Sequence, residues 1–150
     1  IIYRLAQVYL MRAEALCQLG IAQNSQELLA EALALVETIR DRAGATETTA
    51  LEVTDEIDGK ALEAHILEEE AREFMYEGKR WFDVIRNAKR NNYANAGYLT
   101  QIVPYSVIAD KSFSVQKKYQ NPDSWYMPLP ESNIETNSLL KQNTFYTSQE

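Results

Sequence analysis

Two glutamates, Glu73 and Glu77, are the side chains of this sequence best placed for acid–base chemistry. Leu62, Ile66, Glu70, Glu73 and Glu77 follow one another at steps of four, four, three and four, so on a helix they fall in one row. The row begins apolar and ends acidic, with Phe74 close to its acidic end. A carboxylic acid beside a carboxylate could donate and accept protons in turn. That chemistry also needs a substrate cleft and environments that push the two pKa values apart, and the sequence supplies neither. Carboxylates on a packing face need cationic partners, because an unpaired buried charge is very costly. Arg80 and Arg86 downstream, or Arg72 one turn away, are the expected partners. The row therefore reads as a structural ion-pair network, and no residue is assigned a catalytic role.

Other chemistries find less support. The single histidine, His65, stands near Glu68 and Glu69, but there is no HExxH, CxxC or EF-hand loop, so no metal site is expected and His65 reads as a solvated helix residue. Neither GxGxxG nor GxxxxGK[ST] occurs, and GxSxG is missing too, so no nucleotide cofactor and no serine nucleophile are expected. The lone cysteine, Cys17, lies in a helical pattern without a basic neighbour and reads as a small buried hydrophobe. A net charge of -7 disfavours a phosphate backbone, so nucleic acid is not an expected partner. Nine Tyr and two Trp could stack on sugar rings; of these, Trp81 and Trp125 are expected to pack, while Tyr93, Tyr98, Tyr105 and Tyr119 lie in an irregular region and are freer.

The elements that would position these residues are helical. Leu5, Val8, Tyr9, Arg12, Leu16 and Leu19 recur at helical steps, predicting a first helix from about Ile2 to Leu19 that stops at Gly20. Asn24 or Ser25 should cap a second helix, whose stripe is Leu28, Leu29, Ala32, Leu35, Val36 and Ile39 and whose end is Gly44. The two should form an antiparallel hairpin. A loop over 45–57 leads to a third helix, capped by Thr54 or Asp58 and running to about Glu77. After Gly78 a fourth runs from Lys79 to Asn91, with Trp81, Val84, Ile85 and Ala88 on one face. Beyond it the chain is irregular, with one short helix expected within 105–119. Pro128 and Pro130 push the residues before them into extended conformations, so 125–130 should form a strap across the helices with alternate side chains inward. The fold class is all-α. The helical core is placed at 1–92, the strap and tail at 93–150, within one domain. No stretch reaches the roughly 18 apolar residues of a membrane span.

Four blocks then resemble the C-terminal region of the SusD/RagB family. They are Tyr3-Arg4-Leu5-Ala6-Gln7-Val8-Tyr9-Leu10-Met11-Arg12-Ala13-Glu14-Ala15-Leu16, Ile39-Arg40-Asp41-Arg42-Ala43-Gly44, the stretch from Glu73 to Arg86 around Glu77-Gly78-Lys79-Arg80-Trp81-Phe82-Asp83, and Tyr126-Met127-Pro128-Leu129-Pro130 followed by Asn137 and Gln142-Asn143. They stand in the family's order and cover nearly the whole chain. The departures are Glu69-Glu70 where the family often has Glu-Arg, Leu129 for isoleucine, and Thr144 where a proline usually follows Gln-Asn.

The resemblance implies tetratricopeptide-like helix pairs and no catalytic activity. It implies a lipoprotein on the outer face of the outer membrane, held there by a lipid anchor upstream. It also implies a SusC-type, TonB-dependent transporter as partner, to which glycans or, less often, peptides are delivered. Members are longer, and this chain, which opens in helical phase at Ile1 without an initiator Met, is read as the C-terminal part. No ligand-contacting residue is carried over. Glu73, Glu77, Arg80, Trp81, Asp83 and Arg86 look like residues that hold the fold. The alternative is a tetratricopeptide-type adaptor that binds a protein.

Overall fold

The computed structural model describes residues 4–147; the expected start of the first helix, at Ile2, lies outside them. The described residues are helical, with no strand. The chain forms two compact units, residues 1–83 and 84–150.

Unit 1 is built on three helices, α1 (Leu5–Gln23), α2 (Gln26–Ala43) and α3 (Gly59–Glu73), all packed on one another. The caps are chemically plain. Ser25 accepts a hydrogen bond from Leu28 N and Asp58 from Lys60 N, each filling an orphan donor of a first turn. Gly44 ends α2 with φ +66°, which glycine adopts without strain. The core is Leu10, Ala13 and Cys17 from α1, Leu29, Ala32, Val36 and Ile39 from α2, Leu62 and Ile66 from α3, and Phe74.

Three features of unit 1 differ from expectation. First, α1 does not stop at Gly20; it runs to Gln23, and Asn24 takes the left-handed cap at φ 52°. Gly20 instead lies inside the helix, where Leu29 approaches so closely that a Cβ would sit 2.8 Å from its Cδ2. Second, α1 buries a row of mostly small residues, Ala6, Leu10, Ala13, Cys17 and Gly20, which lets both neighbours come near. The bulky stripe read from the sequence is split: Tyr9 and Leu16 pack partly against the core, while Leu5 is 70% exposed, Val8 55% and Leu19 48%. Third, α3 ends at Glu73, four residues early, because Tyr76 and Gly78 both adopt positive φ and turn the chain.

The fourth helix, α4, spans Arg80–Tyr93. In unit 2 its residues Val84, Ile85 and Ala88 are buried, while Trp81, in unit 1, is only half-buried. Leu99 is buried in a wide π-helical turn, Tyr98–Ile102, and Pro104 in the 3-10 turn that follows, Val103–Ser106, where it lies in the first turn and its missing N–H costs nothing. Then come α5 (Ala109–Tyr119), a turn at Pro122–Trp125, α6 (Glu131–Thr136) and α7 (Thr144–Thr147). Trp125 anchors the strap as expected, 2% exposed, with its indole N–H donating to Tyr119 O at 2.9 Å.

The strap itself is extended but does not bury alternate side chains. Tyr126, Met127, Pro128 and Pro130 are exposed, and only Leu129 is half-buried. Gln142 holds it instead. Its side-chain amide accepts from Leu129 N and donates to Leu129 O, both at 2.9 Å, as a neighbouring strand would.

Candidate functional site

The acidic end of α3 carries two charge clusters, both in unit 1. In the first, Arg4, at the N-cap of α1, holds Glu73 and Glu77 together. Its Nη1 donates to Glu73 Oε1 at 2.5 Å, and its Nε and Nη2 reach Glu77 Oε1 at 2.9 and 2.6 Å. Arg42, in the last turn of α2, donates from Nη2 to both Glu73 oxygens at 2.6 Å. Lys79 adds Glu77 Oε2 at 2.8 Å. Phe74 lies beneath, its ring centroid 4.9 Å from the Arg4 guanidinium and 4.7 Å from Lys79 Nζ. The two carboxylates are thus gathered by an arginine and not by sharing a helix, since Glu77 lies past the end of α3.

The second cluster is deeper. Arg40 and Glu69 are nearly sealed, with side chains 3% and 4% exposed, and join at 3.1 Å. Arg72 closes on the same Glu69 oxygen at 2.8 Å. Arg40 also donates to Thr46 O and Thr49 Oγ1, each at 3.1 Å, fastening the loop after α2.

The partners expected for Glu73 and Glu77 are therefore corrected. They are Arg4, Arg42 and Lys79, while Arg72 serves Glu68 and Glu69. Arg80 donates to Leu67 O at 2.6 Å, a bond within unit 1. Asp83 is buried and Arg86 is exposed. Arg4 stands 69 and 73 residues from its two partners. The one sequence signal for it was an arginine opening an apolar helix with no acidic residue in the first turn.

The electrostatics decide what these carboxylates can do. Burial raises the Glu73 pKa, but hydrogen bonds from Arg42 and Arg4 outweigh it and hold the group below its ordinary value. Hydrogen bonds from Arg4 and Lys79 bring Glu77 down to about 2. Both are ionised at neutral pH, so neither holds a proton to donate, and their pKa values shift the same way. His65 is buried, 6% exposed, and not solvated as expected; desolvation, then the charges of Arg40 and Arg72, depress its pKa. Cys17 is fully buried, with its thiol pushed up to about 12 chiefly by desolvation. Among the described residues no group of three His, Cys, Asp or Glu side chains could hold a metal ion.

These shifts fix the response to acid. A depressed histidine adds stability above its unfolded value and loses it below about pH 6.5; depressed carboxylates lose theirs as pH falls from about 4.5 towards 2. The thermal midpoint should therefore drop in two stages. Arg4→Ala should flatten the lower stage and leave the upper one. An unchanged lower stage in that variant, measured by circular dichroism, would contradict the role given to Arg4.

The aromatic candidates divide. Tyr93, 41% exposed, meets Trp125 edge-on at 5.8 Å, Tyr98 and Tyr119 are half-buried, and Tyr105 is 79% exposed. Among the described residues no helix is long and apolar enough to cross a membrane. No curated protein and no solved structure matches the chain. The model of the SusD family matches residues 1–146, nearly the full length and all four sequence blocks. This chain belongs to the SusD family, a family of outer-membrane nutrient-binding proteins.

Proposed function

We propose that the protein is a non-catalytic, lipid-anchored nutrient-binding protein of the cell surface that takes up oligosaccharide and passes it to a SusC-type, TonB-dependent transporter. The family match over residues 1–146 carries this reading. The ionisation of Glu73 and Glu77 supports its non-catalytic half, because the best acid–base candidates lack a transferable proton at neutral pH. Glu73, Glu77, Arg80, Trp81, Asp83 and Arg86 are then scaffold. The test is a set of oligosaccharides incubated with the protein. Binding by calorimetry with unchanged chain lengths is the expected result. Shorter products that vanish in Glu73→Gln would overturn it.

A second reading, a tetratricopeptide-type adaptor, is favoured by the apolar face that Leu5, Val8, Met11 and Leu19 leave open on α1. The two readings differ in which partner Leu5→Asp with Val8→Asp releases: a protein for the adaptor, none of the oligosaccharide for the nutrient binder.

A further inference from the structure

We propose that unit 2 holds a binding site for sugar carrying a carboxylate, a uronate-type oligosaccharide, in the groove between α5 and α7. This rests on the reading of the protein as a glycan binder and narrows it to a chemical class.

The groove has a volume of about 690 Å³ and is lined by Phe113, Ser114, Lys117, Lys118, Phe145 and Tyr146. Its walls follow from local sequence. On α5, Phe113 with Lys117 and Ser114 with Lys118 are pairs four residues apart, so both run along one side of the helix. On the other wall, α7 is pinned to the turn at Pro122–Trp125. Thr144 donates to Asp123 Oδ2 and Asn143 Nδ2 to Asp123 O, each at 2.7 Å, and Asn143 Oδ1 accepts from Phe145 N at 3.0 Å. The rings of Phe145 and Tyr146 stand 5.1 Å apart at 84°, giving two platforms at right angles, with Lys118 Nζ 5.6 Å from each.

Charge points to the ligand. The whole chain is acidic, yet its two units differ. Residues 1–83 hold eight basic and seventeen acidic side chains, a net -9, whereas residues 84–150 hold seven and five, a net +2. Lys117 and Lys118 have no carboxylate partner among the described residues. Their place in the last turn of α5 suits the helix dipole. That alone does not explain why Phe113, 76% exposed, stands beside them. Apolar C–H faces of a sugar pack on aromatic planes, and a carboxylate on the same ring would meet the lysines. A peptide fits less well. Its N–H groups need acceptors, and among the side chains that line the groove only the hydroxyls of Ser114 and Tyr146 can accept, since lysine only donates.

The test is calorimetry on the full-length protein with oligogalacturonate, its methyl ester and an acidic peptide, for the natural sequence, Lys117→Gln with Lys118→Gln, and Phe113→Ala. All three positions are on the groove surface, and circular dichroism checks the fold. The natural protein should bind the acid about tenfold tighter than the ester. The double lysine variant should bring the acid to the level of the ester, and Phe113→Ala should weaken both. Equal affinity for acid and ester, tighter binding of the peptide, or full affinity in the variants would each overturn the groove assignment while leaving glycan binding elsewhere on the protein intact. Absence of any oligosaccharide binding would overturn both readings.

Discussion

Glu69→Ala is expected to lower unfolding stability by about 3–5 kcal/mol, the usual cost of removing one partner from a buried ion pair. Glu69 and Arg40 are both nearly sealed from solvent, and Arg72 closes on the same oxygen. Without Glu69 the Arg40 guanidinium keeps Thr46 O, Thr49 Oγ1 and the distant edge of Glu37, 3.4 Å away, but loses the anion that offsets its desolvation. The penalty arises from the charge left behind more than from the bond lost. A double variant separates the two. Arg40→Met with Glu69→Met removes both charges, so it should recover much of the loss, though not the anchoring of the loop at Thr46. Urea unfolding of Arg40→Met, Glu69→Met and the double gives the coupling directly. Simple addition of the single losses would show that the pair does not act as one.

The second large effect falls in unit 2, where Trp125→Ala should cost about 3–5 kcal/mol. Trp125 is 2% exposed, packs edge-on against Tyr93, and satisfies Tyr119 O through its indole N–H. Alanine leaves a cavity and removes the indole donor to Tyr119 O together. Trp125→Phe keeps most of the apolar burial but not the donor, so its loss should be nearer 1–2 kcal/mol. Chemical denaturation followed by circular dichroism measures both. Equal losses in the two variants would mean that the hydrogen bond, and not packing, is what Trp125 provides.

These two residues mark what the sequence made legible. Local chemistry read well: the Ser25 cap, the Gly44 stop, the break at Gly78, the short helix within 105–119 and Trp125 as the anchor of the strap are all present. Each depends on residues within a few positions of one another. The face of α1 did not read, because both of its faces carry apolar residues. Weighing by size favoured Leu5, Val8 and Leu19, whereas close packing favoured Ala6, Ala13 and Gly20. Only the neighbours decide between them. The partners of Glu73 and Glu77 were misplaced for a similar reason. Arg80 and Arg86 are near in sequence, but α3 ends early through a left-handed Tyr76, a conformation no residue type there announces, and Arg4 arrives from the other end of the unit. The gathering of carboxylates was legible; what gathers them was not. The groove of α5 and α7 was missed altogether, because no pattern joins Phe113 to Phe145.

The proposed role is that of a surface partner to a transporter. It is tested most directly by isolating the full-length protein from outer membranes in mild detergent. Co-elution in a fixed ratio with a TonB-dependent transporter, stable on size exclusion, is the expected result. Elution without any transporter, or with a soluble enzyme in its place, would contradict it.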